Sequence, residues 1–181
     1  MYILIVLAVA IVFTIYLYNQ LIQMRSLKDE AWSGIDVQLK RRHDLIPNIV
    51  EAVKGYKQYE QKTLEDITNL RAQLLCPVPM KDKNKLENEF SSMLKSIFAV
   101  AEAYPDLKAN QSFLKLQDTL SEIEDQIQMA RRYYNGTVRN FNIQVQAFPG
   151  NLVAGVFKFH PADFFELEYV TDRKVPDVKF Q

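Results

Sequence analysis

The first eighteen residues are the feature that most limits the folds open to this chain. Met1 to Tyr18 contain no charged side chain and consist mostly of Ile, Leu, Val, Ala, Phe and Tyr. As a helix, this run rises about 27 Å, close to the roughly 30 Å hydrocarbon core of a bilayer. Tyr2, Tyr16 and Tyr18 lie near its two ends, where amphipathic rings favour the membrane interface. Residues 1–18 are therefore predicted to be a single transmembrane anchor in the cell (inner) membrane.

A cleaved signal peptide is the alternative interpretation of this run. It would need a basic N-terminal region, a shorter apolar stretch and a small-x-small cleavage site, and Tyr18-Asn19-Gln20 follows instead. Arg25 and Lys28 are the first basic residues, and both follow the run. The positive-inside rule then predicts an N-terminus outside and the remaining chain in the cytoplasm. Because only these two basic residues lie close to the span, a periplasmic domain is the alternative.

Hydrophobic residues recur every three or four positions over most of the remaining chain, which is the spacing of helical stripes. The stripes predict a continuation of the anchor to about Arg42, then helices from Pro47 to about Leu74, from Lys81 to about Tyr104, and from Phe113 to Phe148. Prolines, which do not continue a helix, fall at the gaps. These are Pro47, Pro77, Pro79, Pro105 and Pro149.

The last of these helices carries the strongest pattern. Its apolar positions step by threes and fours, with one extra four-residue step at Tyr134, beside Gly136, which is a stutter in a coiled-coil repeat. A helix of roughly 36 residues presents a seam of about 54 Å that needs partner helices. The predicted fold is all-α: an N-terminal transmembrane helix that continues into an elongated antiparallel bundle of about four long helices.

A different pattern begins at Pro149, where apolar and aromatic residues crowd together. They are Leu152, Val153, Val156, Phe157, Phe159, Phe164, Phe165, Leu167, Tyr169 and Val170. One or two short helices or extended pieces are expected here. The predicted domain boundaries are an anchor at 1–18, the helix bundle at 19–148, a short apolar and aromatic segment at 149–170, and a tail at 171–181.

The aromatic segment has two interpretations. It either caps the open end of the bundle or exposes an apolar patch that contacts the membrane or a neighbouring subunit. The candidate contact residues for the second interpretation are Phe157, Phe159, Phe164 and Phe165.

The sequence offers no recognisable catalytic, metal or cofactor site. With 22 basic and 22 acidic residues the formal net charge is zero, which argues against a nucleic-acid partner. Cys76 is alone, which excludes an intrachain disulfide framework and a Cys-based zinc site. His43 and His160 lack a Glu or His at metal-binding helical spacing, and the glycines form no phosphate loop. We therefore expect no enzymatic activity and no cofactor.

Two clusters of polar residues form the one candidate site. The first consists of Asp36, Gln38, Arg41, Arg42 and Asp44. The second consists of Arg131, Arg132, Asn135, Arg139, Asn140 and Asn142. If the two helices pack together, Asp36 or Asp44 is expected to pair with Arg131 or Arg132. A structural network that sets the register of the helices is the favoured interpretation, and a partner or ligand site is the alternative.

Several segments strongly resemble the LemA family. They are AWSGIDVQLKRR at 31–42, DLIPN at 44–48, VKGY at 53–56, ARRYYN at 130–135, RNFN at 139–142, FP at 148–149 and FFE at 164–166. The resemblance implies an inner-membrane or plasma-membrane anchor followed by a bundle of long helices, with no established enzymatic activity. One relative, the magnetosome protein MamQ, is implicated in building membrane compartments, so the resemblance also implies a role in membrane organisation or remodelling.

Together, these observations predict a membrane-anchored scaffold without enzymatic activity that binds the lipid bilayer and self-associates into a homo-oligomer. The alternative is an adaptor that docks another membrane protein, such as a protease or transporter, through the polar face of the bundle.

Overall fold

The structure is a computed structural model, and it describes residues 1–54, 61–101 and 104–165. Within these ranges every regular element is a helix and none is a strand. The helices are α1 (Tyr2–Asp44), α2 (Ile46–Lys54), α3 (Gln61–Leu74), α4 (Met80–Ala101), α5 (Pro105–Lys108), α6 (Gln111–Gln146) and α7 (Gly150–Val156). The prediction of an all-α helix bundle is confirmed.

The helix boundaries follow the sequence pattern over most of the described chain. The anchor continues without a break into α1, which has 43 residues, and α6 has the expected 36 residues. Helix α4 is described as far as Ala101, and residues 102–103, just before its predicted end near Tyr104, lie outside the described residues. Pro105 was expected only to end a helix, but it also begins α5, because the missing N–H of proline is harmless in a first turn.

Part of the prediction falls outside the described residues. The middle of the predicted second helix, residues 55–60, lies there, with α2 before it and α3 after it. Residues 166–181 also lie there, including Leu167, Tyr169, Val170 and the predicted tail. The domain boundaries stay predictions.

The described chain divides into two compact units, which are considered separately. Unit 1 comprises Met1–Asp44 and Thr119–Phe165. The described part of unit 2 lies within Leu45–Asp118.

In unit 1, α1 and α6 pack in opposite directions. The side chain of Gln144, near the end of α6, donates a hydrogen bond to the side chain of Gln20, near the middle of α1, at 3.0 Å. Farther along α1, the Trp32 ring lies 5.5 Å from the Tyr134 ring. Helix α7 then returns against α1. The C-terminal end of α6 and helix α7 therefore lie beside the middle of α1, where its apolar run ends.

The buried stripe of α1 contains Ala31, Ile35 and Leu39, as its spacing predicts. Leu27 has the same four-residue spacing, which predicts a place in this stripe, but it is exposed, because the inward positions before Ala31 are Lys28, three residues earlier, and Met24, four residues before that. Phe148 was expected to extend the stripe of α6, and it is also exposed. The reason is that α6 ends at Gln146, so Phe148 is not on a helix.

The turn from α6 into α7 is closed by a glycine. A Cβ atom on Gly150 would clash with the backbone carbonyl oxygen of Gln144, so only glycine fits this approach. The turn packs Val153 and Ala154 of α7 against Leu17 and Leu21 of α1. Phe141 and Val145 complete this cluster from α6.

Unit 2 is built around the packing of α3 on α4. Its buried residues include Ile67, Leu70, Leu74, Phe90, Leu94 and Ile97. The rings of Phe98 and Phe113 lie 5.4 Å apart, which ties the start of α6 to α4. Asn110 caps α6, since its side-chain oxygen accepts hydrogen bonds from the backbone amides of Ser112 and Phe113 at 2.9 and 3.3 Å.

Candidate functional site in unit 1

Residues 159–165, which we call the strap, run along α6 without regular structure and are held by two asparagines. The Asn142 side chain donates to the Ala162 carbonyl oxygen at 2.9 Å and accepts from the Ala162 amide at 2.7 Å. Asn135 makes the same paired contact with Phe165, at 3.1 and 2.9 Å. The asparagine side chains therefore satisfy backbone groups that a strand or helix would otherwise pair.

The strap ends in an aromatic cluster between α1 and α6. The Phe165 ring is 5.8 Å from the Trp32 ring, and the Arg131 guanidinium carbon is 5.1 Å from the centre of the Phe165 ring. This distance is within the range of a cation–π interaction. Phe165 is only 1% exposed. Trp32 therefore packs against both the strap and α6.

Tyr134 joins the strap to α6 through its hydroxyl, which donates to the Asp163 carbonyl oxygen at 3.1 Å. Burial raises the pKa of the Tyr134 phenol, and the negative charges of Asp163 and Asp29 raise it further. Each of these effects disfavours the phenolate. The hydroxyl is therefore protonated at neutral pH and stays a hydrogen-bond donor to the strap.

Arg42 and Glu124 form an ion pair at the other end of α1. The Arg42 Nη1 atom lies 2.7 Å from the Glu124 Oε1 atom, and the side chains are 3% and 37% exposed. Arg42 belongs to the predicted polar clusters, whereas Glu124 was not predicted to contribute. The available signal was the position of Glu124 directly after Ile123, at the edge of the buried stripe of α6.

The other residues of the two predicted polar clusters occupy different environments. Asp36, Arg41, Asp44, Arg132, Arg139 and Asn140 are exposed. Gln38 is partly buried and accepts a hydrogen bond from Arg41 at 3.1 Å. The predicted pairing of Asp36 or Asp44 with Arg131 or Arg132, and a partner site here, stay predictions. Members of the two clusters that make contacts across unit 1 include Arg42, Arg131, Asn135 and Asn142.

The four phenylalanines predicted to contact a membrane or a second subunit also differ in their exposure to solvent. Phe165 is buried, and Phe159 is partly buried with its ring 6.5 Å from the Phe141 ring. A contact of Phe159 or Phe165 with a membrane or a second subunit stays a prediction. Phe157 and Phe164 are exposed, and their role as contacts stays a prediction.

The groups that converge in unit 1 pair backbone amides, pack aromatic rings and neutralise one buried cation. Interactions of these kinds hold the strap and the two long helices of unit 1 together. Among the described residues, no group of three or more His, Cys, Asp or Glu side chains is arranged to hold a metal ion.

The first part of α1 differs from the rest of unit 1, because the side chains of residues 1–16 are exposed. Helix α1 is the one described helix that is long and apolar enough to cross a membrane.

Comparison with known proteins places these features in a family, since residues 31–180 match the LemA family. The chain belongs to the LemA family. The match includes Trp32, Arg42, both strap-binding asparagines and Phe165. The resemblance of the sequence motifs is therefore confirmed. LemA is not a known enzyme family.

Individual relatives agree with this assignment. The LemA protein of Metamycoplasma hominis is 28% identical over 164 residues, which cover 89% of this chain and 75% of that protein. Magnetosome protein MamQ 2 of Paramagnetospirillum magneticum is 22% identical over 175 residues, which cover 82% of this chain and 64% of that protein. MamQ of Magnetospirillum gryphiswaldense is 18% identical, with the same coverage. This chain therefore spans less than two thirds of the length of the MamQ proteins.

Proposed function

We propose that this LemA-family protein is a membrane-anchored helical scaffold without enzymatic activity, which self-associates and helps to organise or remodel the membrane. The first support is the apolar start of α1, which has the length and composition of a membrane span and is exposed over residues 1–16. The second is the similarity to magnetosome proteins. The observation that carries self-association is an exposed stripe on α6.

The exposed stripe consists of Met129, Tyr133, Gly136, Asn140 and Ile143. These residues step by four, three, four and three, so they share one face of α6. Met129, Tyr133 and Ile143 are exposed large apolar residues. The buried stripe, which includes Tyr134, Val138 and Phe141, lies on the other side of the helix. Helix α6 thus has a second stripe, apolar except for Asn140, with the spacing of a helix–helix contact.

Gly136 lies in the middle of the exposed stripe. Glycine in a helix interior costs about 1 kcal/mol relative to alanine. A Cβ atom at Gly136 would meet nothing within 4 Å, so no contact within the described chain requires a glycine there. A second helix backbone approaching this face would benefit from the missing side chain, as small residues allow close packing of helices.

The partner that fits this stripe is a second copy of the chain. Two copies anchored in one membrane with the same orientation are related by a two-fold axis along the membrane normal, so equivalent residues approach each other. We expect a Tyr133→Cys variant, in a Cys76→Ser background, to form a disulfide-linked dimer on mild oxidation in native membranes. Electrophoresis without reductant measures the dimer fraction.

Two matched variants control this experiment. Gln128→Cys is exposed on α6 but lies off the stripe, and it should stay monomeric. Adding Gly136→Leu to the Tyr133→Cys variant should reduce the dimer, whereas Gly34→Leu should not, although a Cβ at Gly34 also meets nothing within 4 Å. Equal crosslinking at positions 128 and 133, or none at either, would contradict self-association through this stripe.

The proposal includes the orientation, with the N-terminus outside and the helices in the cytoplasm. The support is the position of Arg25 and Lys28 after the apolar run. Cys76 is exposed and is the one cysteine of the chain. A membrane-impermeant thiol reagent should spare Cys76 in intact cells and label it after detergent is added. Labelling in intact cells would reverse the orientation and leave the scaffold proposal standing.

An adaptor that docks a membrane protein such as a protease or transporter is the second candidate. The observation that favours it is the exposure of Arg132 and Arg139, which are seven residues apart and share a side of α6. Replacing both arginines by alanine would abolish capture of such a partner and leave the crosslinking at position 133 unchanged. Loss of crosslinking in the same variant would instead assign these arginines to the contact between copies.

A further inference from the structure

The chain contains a second long run without charged side chains. Residues 140–157, between Arg139 and Lys158, include no Asp, Glu, Lys or Arg. The run forms the last turns of α6, the turn at Gly150 and the whole of α7. Large apolar side chains within it are exposed: Phe148 is 79%, Leu152 61% and Val156 75% exposed. We call these three residues, Phe148 just before α7 and the other two on it, the outer face of α7.

The opposite side of α7 is fixed to the anchor. Val153 and Ala154 pack in one cluster with Leu17 and Leu21. The Phe157 ring, directly after α7, lies 4.6 Å from the ring of Tyr18. Leu17 and Tyr18 are the last two residues of the apolar run of α1, which spans about 27 Å as a helix. Helix α7 is therefore attached to α1 at the level where a bilayer roughly 30 Å thick ends.

We propose that the outer face of α7 inserts into the interfacial layer of the bilayer that α1 crosses, where it contacts the glycerol region and upper acyl chains of phospholipids. The inference rests on the proposed membrane anchor but not on self-association. Lipid is the expected partner of the outer face because α7 packs on the helix that enters the bilayer. Its exposed apolar residues therefore lie beside the place where α1 enters the lipid.

The charge pattern favours lipid over water at this face. Charged side chains are costly in the lipid phase, and residues 140–157 have none. Lys158 is exposed at the end of the run, where a long basic side chain reaches lipid phosphates while its stem stays apolar. Apolar residues exposed together beside a membrane-spanning helix are typical of a membrane contact.

Site-directed spin labels test the proposal on the full chain. Single cysteines replace Leu152 or Val156 in a Cys76→Ser background, and the protein is reconstituted in phosphatidylcholine–phosphatidylglycerol vesicles. Val9→Cys in the apolar run and Gln128→Cys on α6 are the lipid and water references. We expect the labels at 152 and 156 to be several-fold more accessible to oxygen, relative to a water-soluble nickel chelate, than the label at 128. Their depth should be shallower than at position 9.

The possible outcomes separate this inference from the anchor on which it rests. If positions 152 and 156 are nickel-accessible like position 128 while position 9 is in lipid, the outer face is in water and the inference is wrong. If a label at 152 or 156 is immobilised and shielded from both reagents, a protein covers the face and the inference is also wrong. Nickel accessibility at position 9 would overturn the anchor as well.

Discussion

Replacing Phe165 by alanine should lower the free energy of unfolding of unit 1 by about 3 kcal/mol, the usual cost of removing a buried phenylalanine. Phe165 is 1% exposed and packs against Trp32 and Arg131. Trp32 is the single tryptophan of the chain, so its fluorescence reports on this contact directly. Urea titration of the reconstituted protein measures the loss, and the emission of the folded variant should shift to the red because Trp32 becomes more hydrated.

Phe164 provides a matched control one residue away. It is 41% exposed, so Phe164→Ala should change the free energy of unfolding by no more than about 0.5 kcal/mol. If both variants lose the same stability, or if the Trp32 emission is unchanged in Phe165→Ala, the strap is not held in unit 1 by Phe165.

Replacing Glu124 by alanine should destabilise unit 1 by about 2–3 kcal/mol. Breaking a buried ion pair from one side typically costs 3–5 kcal/mol, because it leaves a buried charge behind. We expect a loss below this range because Glu124 is 37% exposed, so water already screens part of the attraction between the two charges. Chemical denaturation followed by circular dichroism and by Trp32 fluorescence measures the change.

Two further variants test whether the unpaired charge of Arg42 causes the loss of stability in Glu124→Ala. Glu122→Ala, at an exposed position two residues earlier, should change stability by no more than about 0.5 kcal/mol. The double variant Arg42→Met with Glu124→Met should recover most of the loss, since well-packed apolar residues can replace a buried ion pair at little or no cost. A double variant that is no more stable than Glu124→Ala would show that the Arg42 side chain has a role beyond this pairing.

Both predictions concern contacts that join α6 to other parts of unit 1. Phe165 holds the strap against α1 and α6, and the Arg42–Glu124 pair joins α1 to α6 farther from the anchor. The proposed contact between copies uses a different face of α6, and the proposed lipid contact uses the outer face of α7. Variants at Phe165 and Glu124 therefore test the folding of unit 1, whereas variants at Gly136 and Leu152 test its interactions.

The long helices could be predicted from the sequence because their determinants are local. The stripe of Ala31, Ile35 and Leu39 and the apolar residues of α6 repeat at helical spacing over many turns, and prolines mark the gaps between helices. Phe148 was misassigned for a local reason as well: its spacing continues the stripe, but α6 ends two residues before it. Spacing alone does not show where a helix stops.

The contacts of the candidate site could be predicted only in part. Arg42, Arg131, Asn135 and Asn142 were recognised as polar residues near the expected contact of two helices. Their partners were not, because Ala162 and Phe165 belong to a segment without periodicity, and because Glu124 resembles any other acidic residue at the edge of a helix. The exposed stripe around Gly136 was also missed, since its significance depends on knowing which face of α6 is already buried.

The sequence by itself determined the apolar run at the N-terminus, the all-α class, the length of α6 and membership of the LemA family. Each of these features is determined by residues close together in the sequence or by a repeat with helical spacing. Only the tertiary structure decided that Arg42 pairs with Glu124, that two asparagines bind the strap, and that α7 packs at the end of the apolar run. These contacts join residues far apart in the chain, and their energies depend on burial and distance, which exist only after the helices have packed.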